Sequence, residues 1–78
     1  MIEWDEVELN PEARETQRTY RRRRGNHWCY LHMHLLPDGS WDAILYDEAT
    51  RMLDHDHVDT PVEARHWAQR RLEAMFVE

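Results

Sequence analysis

Two short histidine pairs are the residues best spaced to do chemistry. His32-Met33-His34 and His55-Asp56-His57 each place two imidazoles two positions apart, and on a β-strand residues at that spacing point to one side. Two such pairs brought face to face would make a nitrogen set of the kind that holds zinc. Whether they meet depends on strand register, because a slip of one residue carries a whole strand's side chains to the opposite face. Asp54, Asp56 and Asp59 interleave with the second pair and raise acid–base chemistry as another reading. They come without a nucleophile partner or a glycine-rich phosphate loop, so they read as charges guarding a strand edge. Cys29 is the single cysteine, between Trp28 and Tyr30. It reads as a small core residue rather than a reactive thiol, and no intrachain disulfide can form.

The elements that must position these residues belong to one small domain of 78 residues. Residues 1–25 read as an N-terminal arm or helix and residues 26–78 as a sheet-plus-helix core. A chain of this size buries only about 60% of the surface its unfolded form exposes, so its core is small. The net charge is −6, and all ten basic residues are arginine. Arg21, Arg22, Arg23 and Arg24 form a basic island with acid on both sides. Four phosphate contacts at most, set against an acidic chain, argue against direct nucleic-acid binding. The chain opens on no signal-type apolar segment and has no apolar run near 18 residues. A cytoplasmic location is expected (the host cytoplasm if the chain is phage-encoded), without membrane contact.

The expected fold is α+β: a three-stranded antiparallel sheet (about 28–36, 41–47 and 51–58) packed by a C-terminal helix at about 61–76. Residues 28–36 are rich in β-formers, and Asp38-Gly39 reads as a two-residue hairpin turn. That turn sets Met33 opposite Ile44, Leu31 opposite Tyr46 and His32 opposite Leu45. Thr60-Pro61-Val62-Glu63 is a capping box with proline at the first helical position. Ala64, Trp67, Ala68, Leu72 and Met75 follow at helical spacing on one face. Upstream, a short edge strand or extended arm falls near Ile2–Leu9. Asn10, Pro11, the early glutamates, the terminal arginines and Gly25 punctuate a helix over 11–24, although only Ala13 and Tyr20 supply an apolar face.

In that register Cys29, Leu31, Met33 and Leu35 face the helix. Trp28, Tyr30, His32, His34, Trp41 and Leu45 make an aromatic patch on the other face. A tight second turn sets Leu53 beside Ile44 on the helix side, with His55 and His57 following it and so away from His32 and His34. No metal and no cofactor is therefore expected. The aromatic patch is either covered by Trp4, Val7, Leu9 and Tyr20 folding back or left open as a contact site, and a homodimer joining two such faces would also bury it.

The run "GSWDAILYDEATRMLDHDHVDTPVEARHWAQRRL" resembles the sheet-plus-helix DNA-binding domains of phage integrase arms and plant ethylene-response factors, through Trp41, Ala43, Thr60, Glu63 and Ala64. The resemblance implies three strands and a helix. Those families lay a basic sheet in the DNA major groove, whereas the strand residues here are histidine, aspartate and aromatic. By type, a short, acidic, lysine-free chain with aromatic sheet residues is also similar to the small phage-encoded inhibitors of bacterial defence complexes, anti-CRISPR proteins among them. That likeness implies a partner with a basic nucleic-acid channel.

These readings converge on a non-enzymatic protein-binding module, an inhibitor or adaptor, whose acids dock on a basic partner. Asp54, Asp56 and Asp59, with Asp42, Asp47 and Glu48 near the hairpin ends, are the expected docking charges. Trp28, Tyr30, His32, His34 and Trp41 would supply affinity, and the arginine island would join the interface. The alternative is a DNA-binding or recombination accessory domain using Arg21–Arg24 as an arm.

Overall fold

A computed structural model describes residues 4–7, 11–13, 15–24 and 26–75, with Pro11 and Arg24 described by backbone alone. Five antiparallel strands follow one another in chain order: β1 (Asp5–Val7), β2 (Gln17–Arg24), β3 (His27–Leu35), β4 (Trp41–Asp47) and β5 (Met52–Val58). Helix α1 (Pro61–Met75) crosses one face, against β3, β4 and β5. The α+β class and the C-terminal helix are as expected, but the sheet has five strands, not three.

One additional strand, β1, lies where a short edge strand was expected near Ile2–Leu9, and the other, β2, comes from the segment whose punctuation suggested a helix. Among its described residues only Pro11–Ala13 forms a helical turn, of the 3-10 type, and Gln17–Arg24 is a strand paired along its length with β3. A helix there would bury almost nothing, because its apolar face is two residues wide, and an isolated helix of that length is marginal in water. As a strand, the same residues present Tyr20 to the core and gain a ladder of hydrogen bonds. Asn10 and Gly25 lie outside the described residues.

The hairpin between β3 and β4 differs from expectation by one residue, and the whole face assignment follows from it. Met33 pairs with Ala43, Leu31 with Leu45 and His32 with Ile44. The loop has three residues, Pro37-Asp38-Gly39, closed by Leu36 N–H to Ser40 O (2.7 Å) and Gly39 N–H to Leu36 O (3.0 Å). A two-residue loop would make Pro37 the closing partner of Ser40, and proline has no N–H to donate. In the longer loop Pro37 takes the first central position of a type I turn, where its fixed φ fits. Gly39 takes the left-handed position at φ 89°. Trp41, Ala43 and Leu45 therefore point at α1, and Trp41 and Leu45 leave the aromatic patch to which they were assigned.

The second hairpin repeats the device without a glycine. Asp47 N–H donates to Arg51 O and Thr50 N–H to Asp47 O, with Thr50 at φ 62°. Asp47 Oδ1 accepts from the N–H groups of Ala49 and Arg51, which holds the turn closed. A bulge beside Leu45 and Tyr46 then sets Ile44 opposite His55 and Asp42 opposite His57, instead of Leu53 opposite Ile44. Leu53 packs on the rim of the core.

The core is the layer between sheet and helix. Leu31, Met33 and Leu45 are fully enclosed, with Tyr20, Cys29, Trp41, Ala43 and Val58 around them and Ala64, Trp67, Ala68 and Leu72 above. Met75, expected on the same stripe, is exposed at the helix end. Thr60 caps α1: its Oγ1 accepts from Glu63 N–H (3.2 Å), and Glu63 Oε2 in turn accepts from Asp59 N–H (3.3 Å). Arg65 stacks over the Tyr20 ring at 5.0 Å, and Arg71 pairs with Asp54, so the helix is clipped to β2 and β5.

Leu72→Ala and Trp67→Ala should each destabilise the fold by about 2–5 kcal/mol, whereas Arg70→Ala, at an exposed position, should stay within about 0.5 kcal/mol. Urea denaturation of the three variants checks this, and equal losses would disprove the buried face of α1. Gly39→Ala meets open space but forces a side chain into the left-handed region. It should lower stability by about 1–2 kcal/mol in the same assay.

Candidate functional site

The face of the sheet opposite α1 carries most of the residues whose types suggest binding. Alternation places Gln17, Thr19, Arg21 and Arg23 of β2 there, with Trp28, Tyr30, His32 and His34 of β3. Asp42, Ile44 and Tyr46 of β4, Met52, His55 and His57 of β5, and Asp5 and Val7 of β1 lie there too. Three rows cross the sheet: Arg21–Tyr30–Tyr46, Thr19–His32–Ile44–His55 and Gln17–His34–Asp42–His57. Among the described residues no helix packs on this face. Of the residues that one of the two alternatives folded back over it, Tyr20 lies in the core and Trp4 packs against it, while Val7 sits in β1 at the edge of this face, beside Thr19. Leu9 is outside the described residues.

One end of the face is aromatic and basic. The Arg21 guanidinium lies 4.8 Å from the centre of the Trp28 ring, within cation–π range. Tyr30 and Tyr46 stack with centroids 6.2 Å apart, and burial pushes the Tyr46 hydroxyl above its ordinary pKa. The arginine island is thus neither a helix end nor an arm. It is a strand whose members alternate, so Arg21 and Arg23 face outward from the sheet here while Arg22 turns to the helix side.

The middle is a histidine network, and here the expected separation of the two pairs fails. The one-residue change at Pro37 brings Ile44, and His55 beside it, to the face of His32, so all four histidines share one side. His32 Nδ1 is 2.6 Å from Thr19 Oγ1, and its Nε2 is 2.9 Å from His34 Nε2. Only one proton can occupy that nitrogen–nitrogen contact, so one ring donates and the other accepts. Burial, and then the neighbouring His34, holds the His32 pKa below the ordinary histidine value. His55 Nε2 is paired with Asp42 Oδ1. Among the described residues no three His, Cys, Asp or Glu side chains converge as a metal site.

His57 turns to Ser40, whose hydroxyl also meets Asp38. The trio has the residue types of a nucleophilic triad but not its order: the carboxylate holds the serine and not the histidine. The Ser40 proton points at Asp38, which the hydroxyl and the Ser40 N–H together hold below the usual carboxylate range. Ser40 therefore ties the hairpin loop to β5, a structural role.

The expected docking acids are mostly engaged within the chain. Asp47 binds its own turn, and the Arg51 N–H, then the Arg51 side chain (3.1 Å), hold its carboxyl below the ordinary pKa. Glu48 accepts from His27 (2.6 Å), Asp54 meets Arg71 and Asp42 meets His55. Asp56 lines an open cleft of about 320 Å³ between β5 and α1, with His57, Glu63, His66, Trp67 and Arg70. Asp59 is exposed just before the helix. Tyr46 and Ile44 were missed as face residues. Their β-character was visible in the sequence, but their side of the sheet depended on the hairpin register.

No protein-family model matches the chain, and no curated protein or solved structure matches it closely enough to count. Among the described residues no helix is long and apolar enough to cross a membrane.

Because the folded-state pKa of His32 is depressed, the unfolded chain binds more protons at this position near and below its ordinary value of about 6.5. The stability it contributes is complete above that pH and is lost as the pH falls through the folded-state value. Urea midpoints at pH 7.5 and 5.5 should thus differ more for the wild type than for His32→Gln. An unchanged difference would remove His32 as the source.

Proposed function

We propose that the protein is a non-enzymatic binding module that docks a protein partner on the sheet face opposite α1. The observation that carries this reading is the cluster of Arg21, Trp28, Tyr30 and Tyr46 on a face over which, among the described residues, α1 does not pack. Trp, Tyr and Arg are the residue types that dominate protein interfaces, because each combines a large apolar surface with a polar tip. Tyr30 and Trp28 are half-buried by their neighbours, so little side-chain freedom remains to be lost on binding.

The partner we infer carries a basic surface, as the nucleic-acid channel of a larger complex does. A net charge of −6 gives the chain a field that speeds encounter with such a surface and repels nucleic acid itself. The acids act here mainly through that summed field, since four of the six proposed as docking charges are engaged within the chain. This is the mode of an inhibitor or adaptor rather than of an enzyme. Ser40, His57 and Asp38 are arranged to close a loop, which supports the same conclusion.

Affinity capture from a nuclease-treated bacterial lysate tests the reading. A stoichiometric protein partner should be retained by the wild type and lost, by tenfold or more, with an Arg21→Ala, Trp28→Ala double variant that still folds. The wild type should not shift generic duplex DNA at about 150 mM salt. Tight, salt-sensitive DNA binding abolished by the same double variant would overturn the proposal in favour of a nucleic-acid accessory domain.

A further inference from the structure

We propose that His32 and His34 form a two-nitrogen chelate for a divalent transition metal, with copper(II) preferred and nickel(II) next. The two residues project from one side of β3, and their Nε2 atoms are 2.9 Å apart. Metal–imidazole bonds run about 2.0–2.1 Å. Two of them meeting at a right angle at one ion place their nitrogens about 2.9 Å apart, whereas a tetrahedral angle requires about 3.4 Å. The observed spacing therefore fits adjacent positions of a tetragonal ion, the geometry copper(II) and nickel(II) favour with nitrogen ligands.

The second shell supports the same pair. Thr19, on the neighbouring strand and opposite His32 in register, has its hydroxyl 2.6 Å from His32 Nδ1. With Nδ1–H donating to that oxygen, the Nε2 lone pair of His32 faces His34 Nε2. Ligand histidines are oriented in this way by a partner on the other ring nitrogen. In the apo protein the Nε2–Nε2 contact needs one proton. On metal binding the ring that held it takes the Nδ1–H tautomer and both rings turn off the mutual contact, so both remain neutral, both Nε2 lone pairs reach the ion, and solvent fills the remaining positions. The other two face histidines are committed elsewhere, His55 to Asp42 and His57 to Ser40, which makes the His32–His34 pair the point of capture. This site stands independently of partner docking on the same face.

Untagged full-length protein titrated with copper(II) chloride near pH 7.5 gives the test, read by electron paramagnetic resonance and by titration calorimetry. One ion per chain should bind with two imidazole nitrogens in its equatorial plane, and nickel(II) and zinc(II) should bind more weakly, in that order. His32→Gln and His34→Gln should each weaken binding by at least tenfold. Thr19→Val should weaken it several-fold while leaving both nitrogens as ligands, and His55→Gln should leave it unchanged. Urea denaturation identifies variants that no longer fold, and His34→Asn provides a second substitution at that position. Copper affinity unaffected by both histidine changes, a single-nitrogen spectrum, or no binding by the folded wild type would overturn the site.

Discussion

The three-residue loop from Leu36 to Ser40 is the constraint on which the rest of the molecule depends. Pro37 cannot donate a hydrogen bond, and Gly39 alone accommodates the left-handed φ of 89° that the loop requires. Together they set β4 one residue away from the register of a two-residue turn. From that step follow the direction of Trp41, Ala43 and Leu45 into the core and of Asp42, Ile44 and Tyr46 away from it. The same step brings His55 and His57 to the side of His32 and His34. Ser40 reinforces the loop by linking Asp38 to His57 on β5, so the hairpin end and the edge strand are tied at one point.

Charge serves two purposes in this chain. Locally, acids and bases act as clips: Asp47 with Arg51 closes a turn, Asp54 with Arg71 joins β5 to α1, and Arg65 rests on Tyr20. Each exposed ion pair contributes little on its own, but Arg71 with Asp54 and Arg65 on Tyr20 tie the helix to two different strands. Globally, the excess of acid leaves a negative field around a sheet face rich in aromatic and arginine residues. Our functional reading assigns encounter with a basic partner to the first and affinity to the aromatic rings of the second.

Much of the fold was legible in the sequence. The capping box at Thr60, the stripe Ala64-Trp67-Ala68-Leu72 and the alternation of β3 depend on neighbours within a few residues, and all three are present. The segment from Pro11 to Arg24 misled because its caps and terminal charges are helical in type, whereas its weak apolar face provides too little burial to hold a helix. Its state was decided by the free edge of β3, which offered hydrogen bonds to a strand. The candidate site was legible by composition only. Trp28, Tyr30, His32 and His34 were assigned together correctly because they share one strand, and Trp41 was misplaced because its side depended on a turn.

The sequence by itself determined the class, the helix and the alternating inward and outward residues of each strand, since these arise from local periodicity and backbone chemistry. The tertiary structure decided which faces of neighbouring strands coincide, that the arginine island is a strand, and that four histidines share one side. Those outcomes rest on pairing between distant segments, where one residue of loop length inverts every side chain beyond it.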